Sequence, residues 1–245
     1  MGKSKDLATR TFNSNLGIGT STPPQLLSLF GTGAGNSTMQ IEGEGGADPT
    51  INFLANNTQH FSIGIDDSDS DTFKISEHSA LGTNDYFKVD TSGRITLPSQ
   101  PKFKVRRNSS SVTLTGNNAK QNLVFNVKDF DIGNGYNTTT GKYTVPATGV
   151  YFFFLNPRFD GITGSTYARG LIYKGASIPG SPWSDYGNVL SSIDGDGHST
   201  NYHTMNVSGI FSCVAGDTIN FLGGGNADSS ITFQAESQAG GFMIG

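Results

Sequence analysis

The residues able to do chemistry in this 245-residue chain are few and scattered. The run Asp66-Asp-Ser-Asp-Ser-Asp71 alternates oxygen-bearing side chains, which suits a hard cation such as Ca²⁺. It lacks the twelve-residue spacing and closing Glu of a calcium loop, so a solvated turn is the other reading and the one adopted. Asp194-Gly-Asp-Gly-His198 poses the same question and reads as loop. His60, His78, His198 and His203 form no H-E-x-x-H pair and no spaced Cys/His set, which argues against zinc. No G-x-S-x-G nucleophile elbow is present. Gly33, Gly35 and the Gly43–Gly46 region lead into no G-K-[ST] and no helix, so they make no phosphate loop. A depolymerase needs two carboxylates across a sugar cleft; sequence does not exclude a pair formed between subunits, but nothing marks one. Cys213 lies alone in a β-prone run and reads as a small buried hydrophobe rather than a reactive thiol. The expectation is a binding or structural protein, with no catalytic residues, no cofactor and no metal site.

The elements that would carry such a function are strands. Only 34% of residues are hydrophobic, below the roughly 45–50% of globular chains. Glycine is 33 of 245 and aromatic residues reach 11%, so the chain is turn-rich yet too aromatic for disorder. Such a thin core fits short strands, with burial shared between subunits. A net charge of −4 argues against nucleic-acid binding, which needs a basic face. No apolar run of about 18 residues is present, so no membrane insertion is expected. The opening MGKSKDLATRTF lacks the apolar core of a signal peptide. With one cysteine and no disulfide framework, synthesis in a reducing host cytoplasm is expected.

The organising stretch is Phe130 to Phe153, FDIGNGYNTTTGKYTVPATGVYFF. Asn134-Gly135 is a tight-turn dipeptide, because both residues tolerate positive φ. Lys142–Val145 is β-prone, and Pro146 ends its ladder by lacking an N–H. Val150 to Leu155 is apolar on both pleat faces: Val150, Phe152 and Phe154 on one, Tyr151, Phe153 and Leu155 on the other. One face can fill the domain's own core, and the other needs a second layer or a neighbouring subunit. Tyr151, Phe152, Phe153 and Phe154, with Phe242 near the end of the sequence, are the expected core and subunit-contact residues.

The order of Phe130, Gly135, Tyr136, Gly141, Tyr143, Pro146, Gly149, Tyr151 and Phe153 resembles the signature of complement C1q-like domains. Ser208–Phe221, with its Gly216-Asp217 turn, resembles a later strand–turn–strand of that family. The closing Gly240-Gly-Phe-Met-Ile-Gly245 resembles its last strand. The resemblance spans residues 101–245. It implies a ten-strand jelly roll of the tumour-necrosis-factor type, trimeric assembly, and binding rather than catalysis.

Within this head the expected strands are Val112–Leu114, Leu123–Val127, Tyr143–Val145, Val150–Asn156, Tyr167–Lys174, His203–Phe211, Thr218–Leu222, Ile231–Ala235 and Gly241–Ile244. Ala176–Tyr202 reads as one long loop holding Trp183, Tyr186, His198 and Tyr202 among small polar residues. Rings in such company supply contact area at little entropy cost and stack on sugars; Trp183 plugging the core is the other reading. The four residues are the candidate receptor-binding set, for a host cell-surface glycan or protein.

Upstream, Leu16-Gly-Ile-Gly-Thr-Ser-Thr-Pro-Pro24 resembles the opening of bacteriophage fibre proteins. Lys3, Lys5, Asp6, Leu7 and Arg10 are the expected virion-attachment residues, docking on another virion structural protein, with a frayed terminus as the alternative. Strand pieces are expected at Leu26–Phe30, Met39–Ile41, Ile51–Leu54, Phe61–Ile65, Phe73–Ile75, Phe87–Val89 and Ile95–Leu97. Phe73-Lys-Ile, Phe87-Lys-Val and Phe103-Lys-Val repeat an apolar–Lys–apolar triplet. Stacked, these would make a stalk with an apolar axis and a charged exterior. Lys102, Lys104 and Arg106 alternate along one face, either as a solubilising strand edge or as a contact for an acidic partner.

The expected architecture is all-β and homotrimeric: an attachment segment at 1–25, a β-stalk at 26–100 and a C1q-like jelly-roll head at 101–245. The expected function is that of a bacteriophage tail fibre or receptor-binding protein on the virion. A head, neck or collar decoration fibre is the alternative, ahead of a cellular C1q-like lectin.

Overall fold

The computed structural model describes residues 16–18, 27–29, 39–56, 59–108, 111–114, 119–162, 167–178, 189–196, 202–225 and 231–245; of 16–18, 27–29, 59, 189–196 and 202 it describes the backbone alone. The chain divides into two compact units, Met1–Asn84 with Val89–Arg94, and Asp85–Lys88 with Ile95–Gly245. Both are built of strands. The one helical piece among the described residues is a 3-10 turn at Asp67–Asp69.

In the first unit β1 (Leu16–Ile18) pairs in parallel with β2 (Leu27–Leu29). β3 (Thr50–Ala55), β4 (Gln59–Asp66) and β5 (Thr72–Ser76) form an antiparallel meander. β6 (Asp85–Val89) and β7 (Ile95–Thr96) follow where the chain passes between the units. The register sets Ile51 opposite Ile63 and Ile63 opposite Ile75, with Phe53 opposite Phe61 and Ile65 opposite Phe73. Because side chains alternate with period two, these seven share one face. Ser62, Lys74, Ser76, Thr72 and Asp66 share the other, and that polar face is the buried one.

This inverts the expected stalk pattern. Lys74 of the first triplet is 2% exposed, while Phe73 and Ile75 beside it are half-buried. The reason is a charge already paired where it is buried. Lys74 Nζ donates to Asp66 Oδ2 at 2.6 Å and lies 2.6 Å from Asp69 Oδ2. Asp66 also accepts from Ser68 Oγ at 2.6 Å and from the Asp69 N–H at 3.1 Å. The Asp66–Asp71 run is thus a turn, but one anchored on a buried ion pair rather than solvated throughout. The Lys74 hydrogen bond, then that of Ser68, holds the Asp66 carboxyl below the usual carboxylate range.

The head comprises β8 (Lys102–Arg106), β9 (Val112–Leu114), β10 (Gln121–Asn122), β11 (Val127–Ile132), β12 (Tyr136–Asn137), β13 (Lys142–Thr144), β14 (Gly149–Asn156), β15 (Arg158–Asp160), β16 (Tyr167–Lys174), β17 (Val189–Asp196), β18 (Tyr202–Thr204), β19 (Val207–Cys213), β20 (Thr218–Gly225), β21 (Ile231–Phe233) and β22 (Gln238–Met243). One sheet runs β11-β8-β22-β14-β19, and a second runs β12-β13-β20-β16-β17 with β10 also on β20. The strand order β9-β21-β15-β18 repeats that of β8-β22-β14-β19. It therefore continues the first sheet beyond a kink at Pro157, which has no N–H to give. Buried Ser237 clasps the kink: its Oγ accepts the Arg158 N–H at 2.8 Å, and its carbonyl accepts the Arg107 N–H at 2.9 Å.

The core fills the space between the sheets. Phe103 and Val105 of β8, Tyr151, Phe153 and Leu155 of β14, and Ile219 and Phe221 of β20 are at most 1% exposed. Phe103 stacks on Tyr143 with ring centroids 4.0 Å apart. Burying one such ring contributes roughly 1.5–3 kcal/mol.

Several expected elements change. Met39–Ile41 is not a strand. Leu123–Asn126 is buried at Leu123 and Phe125 but irregular, because the Phe125 N–H donates to the Tyr136 hydroxyl at 3.0 Å instead of joining a ladder. His203–Phe211 is interrupted between β18 and β19, where the Met205 N–H bonds to the Pro157 carbonyl at the kink. The expected loop Ala176–Tyr202 contains a strand, β17, which includes Asp194–Asp196. Its composition is poor for a strand; pairing with the free side of β16 places it there. The tight turn sits one residue earlier than expected, with Gly133 at φ 96° and Asn134 at φ 52°.

Candidate functional site

The two outer faces of the head differ in what covers them. On the second sheet Leu171, Tyr173 and Leu222 pack with Ile178 into a small cluster of their own. On the first sheet, β14 sits between β22 and β19. Its inward side chains, Tyr151, Phe153 and Leu155, are fully buried. Its outward side chains, Phe152 and Phe154, are half-buried, and Val150 is 38% exposed. This is the second apolar face that the alternation of β14 anticipates.

Neighbouring strands enlarge it. Phe152 stands opposite Phe242 on β22 and Ile210 on β19. The Phe152 and Phe242 rings lie 5.4 Å apart at 39°. Phe242 is 48% exposed, Ile210 65% and Ile244 48%. Phe154 stands opposite Gly240, where a Cβ would come within 2.7 Å of the ring. Glycine there lets Phe154 lie down on the sheet. The result is an apolar surface three strands wide.

Charge borders this surface on the β8–β11 side. Arg106 Nε donates to Asp129 Oδ1 at 2.7 Å, and Lys104 Nζ is 3.2 Å from Asp129 Oδ2. The Arg106 hydrogen bond, with Lys104, holds the Asp129 carboxyl below its ordinary value. Pairing with both β11 and β22 makes β8 an interior strand rather than an edge, and an acidic partner for Lys104 and Arg106 lies within the same chain.

The turn entering the motif depends on Asp131. Its Oδ1 accepts the Gly135 N–H and its Oδ2 the Tyr136 N–H, each at 3.1 Å, while Lys128 Nζ donates to Oδ2 at 2.7 Å. The sequence reading passed over Asp131; an Asp two residues before Gly133-Asn134-Gly135 is the signal that finds it. Asp217 works similarly, accepting the Val214 N–H at 2.9 Å and holding Lys174 at 3.3 Å. Tyr151 Oη donates to the Ala147 carbonyl at 2.8 Å, and burial pushes its phenol up. Cys213 is buried in the core, where desolvation raises its thiol.

Of the candidate receptor-binding residues, Trp183, Tyr186 and His198 lie outside the described residues. Tyr202 opens β18, its backbone paired with Asp160. Lys3, Lys5, Asp6, Leu7 and Arg10 also lie outside the described residues. Among the described residues no group of three or more His, Cys, Asp or Glu is placed to hold a metal. No described helix is long and apolar enough to cross a membrane.

The family model described as "C1q domain" matches residues 103–170. Among solved structures, the globular domain of zebrafish complement 1qA is 22% identical, covers 60% of this chain and 98% of its own, and has a TM-score of 0.42. Murine APRIL is 12% identical, with coverage of 59% and 99% and a TM-score of 0.44. Eiger TNF from S. frugiperda is 14% identical, with coverage of 60% and 94% and a TM-score of 0.42. No curated protein matches. The head is a C1q-like jelly roll.

Proposed function

We propose that this chain is the subunit of a homotrimeric bacteriophage virion fibre whose C1q-like head binds a host cell-surface glycan or protein. The observation that carries the reading is the bare apolar face of Val150, Phe152, Phe154, Ile210 and Phe242. A face of this kind on a soluble domain is an interaction surface. Three heads packed about an axis through it would supply the layer that β14 lacks within one chain. The C1q match over residues 103–170 supports the same assembly.

The virion half of the reading rests on the opening Leu16-Gly-Ile-Gly-Thr-Ser-Thr-Pro-Pro24. Residues 1–25 attach the fibre to another virion structural protein, and the Trp183–Tyr202 segment meets the receptor. The test has two parts. Light scattering on the full chain is expected to give three times 25.9 kDa; a monomer overturns the trimer. Gold-labelled antibody to the head, applied to intact virions, is expected on the tail. Label on the capsid or collar makes this a decoration fibre instead, and label nowhere overturns the virion reading.

A further inference from the structure

We infer that the apolar face of the β3–β4–β5 sheet is a contact between copies of this chain, in which Phe53 of one copy fills a hollow on the next. The inference deepens the trimeric-fibre reading and rests on it. Phe53 is 58% exposed. On the same face lies a hollow of about 210 Å³, bordered by Ile41, Pro49, Ile51, Ile63, Ile65 and Phe73. An apolar cavity of about 150 Å³ suffices to take benzene, so the hollow accepts a phenyl ring. Phe53 does not reach its own hollow: it is two residues along β3 from Ile51 and points out the same way. A knob and a hole offset on one face meet between copies, and a head-to-tail contact of this type closes into a ring when its rotation allows.

The chemistry of the face selects the occupant. None of the residues on this face of the three strands is of a charged type. A charged partner would lose its hydration there and gain no counter-charge. An identical uncharged face incurs no such penalty. The other side of the sheet is closed to partners, because Lys74, Asp66 and Ser62 are buried and bonded within the unit. Joined heads would hold the sheets of the same trimer at high effective concentration, so copies meet before any other protein does.

The test uses the full chain carrying Phe53→Cys with Ile41→Cys, two exposed positions, under mild oxidation. Cys213 is buried and stays out of the reaction. Cross-linked bands of up to three chains are expected on a non-reducing gel from the double variant, and single chains from each single variant. A trimeric mass without cross-links overturns this contact and leaves the head trimer standing. Cross-links in a dimer or open ladder keep the contact and overturn the trimeric head. Separately, Phe53→Ser is expected to raise the chain concentration at which the trimer dissociates by roughly tenfold; an unchanged dissociation point overturns the inference.

Discussion

Gly241 lies against the ring of Phe153: a Cβ built there would stand 2.4 Å from Phe153 Cδ1 and 2.7 Å from the Phe152 carbonyl oxygen. The two residues are opposite each other in the β14–β22 register. Phe153 is fully buried and the second obstacle is backbone, so neither gives way cheaply. Gly241→Ala is expected to destabilise the head by about 1–3 kcal/mol through overpacking. Denaturant midpoints of the two proteins check it, and an unchanged midpoint would show that the sheets can part to admit a methyl group.

The buried pair in the first unit gives a pH dependence of definite sign. The Asp66 carboxyl is held below its ordinary 3.8, first by its Lys74 hydrogen bond and then by Ser68. A depressed acid contributes stability above its unfolded value, and loses it as pH falls through the lower folded value. The contribution is therefore complete at neutral pH and fades below about pH 4. Asp66→Asn is expected to lose about 3 kcal/mol at neutral pH, the low end for a broken buried pair. Asp69 remains 2.6 Å from the Lys74 ammonium and softens the loss. Hydrogen exchange of the β4 and β5 amides reads it, and the gap between the proteins should close in acid.

The parts of the fold legible in the sequence are those where local pattern and tertiary demand agree. Tyr167–Lys174 and Val112–Leu114 are strands with the bounds expected of them. β14 is legible on both faces, since Tyr151 and Phe153 go inward while Phe152 and Phe154 stay on the surface. β17 is not legible, because its Ser, Asp and Gly residues have low strand propensity and the bonding groups of β16 decide instead. Lys74 misleads for a related reason: a lysine reads as solvent-facing until Asp66, eight residues away, is known to meet it. Gly240 and Gly241 read as a closing strand, but their roles as seats for rings, Gly240 for Phe154 on the outer face and Gly241 for Phe153 in the core, need the register.

Asp131 offers a test of the turn that opens the organising stretch. Asp131→Ala strands the Gly135 and Tyr136 N–H groups and frees Lys128. The expected loss is about 1–3 kcal/mol. Asp131→Asn, which keeps one acceptor oxygen, is expected to lose about half as much. Equal losses in the two variants would mean that charge, rather than acceptor geometry, secures the turn.

Cys213 reports on the integrity of the head. It is 1% exposed, pairs in register with Gly149 at the start of β14, and has its thiol pushed up by burial. Both effects lower its thiolate reactivity. In the folded protein at mild alkaline pH, modification by a thiol reagent is expected only at the rate of unfolding, and at full rate in denaturant. Prompt labelling without denaturant would show that the end of β19 opens locally.

The outer face of β14 sets the last expectation. Phe152 and Phe242 are ring partners 5.4 Å apart, on adjacent strands and on the exposed side. If that surface joins three heads, a carboxylate placed on β14 or β19, away from the lysines of β8, is buried without a counter-charge, which ordinarily costs several kcal/mol per ion. Phe152→Asp and Ile210→Asp, the latter opposite Phe152 on β19, are each expected to shift the full chain from three copies to one in light scattering. The fold should survive, because both side chains lie outside the core between the sheets and a carboxylate on a free monomer faces water. Circular dichroism separates this outcome from unfolding. A trimer that persists in both variants, with native strand content, would place the threefold contact on another surface and leave this one for a different partner.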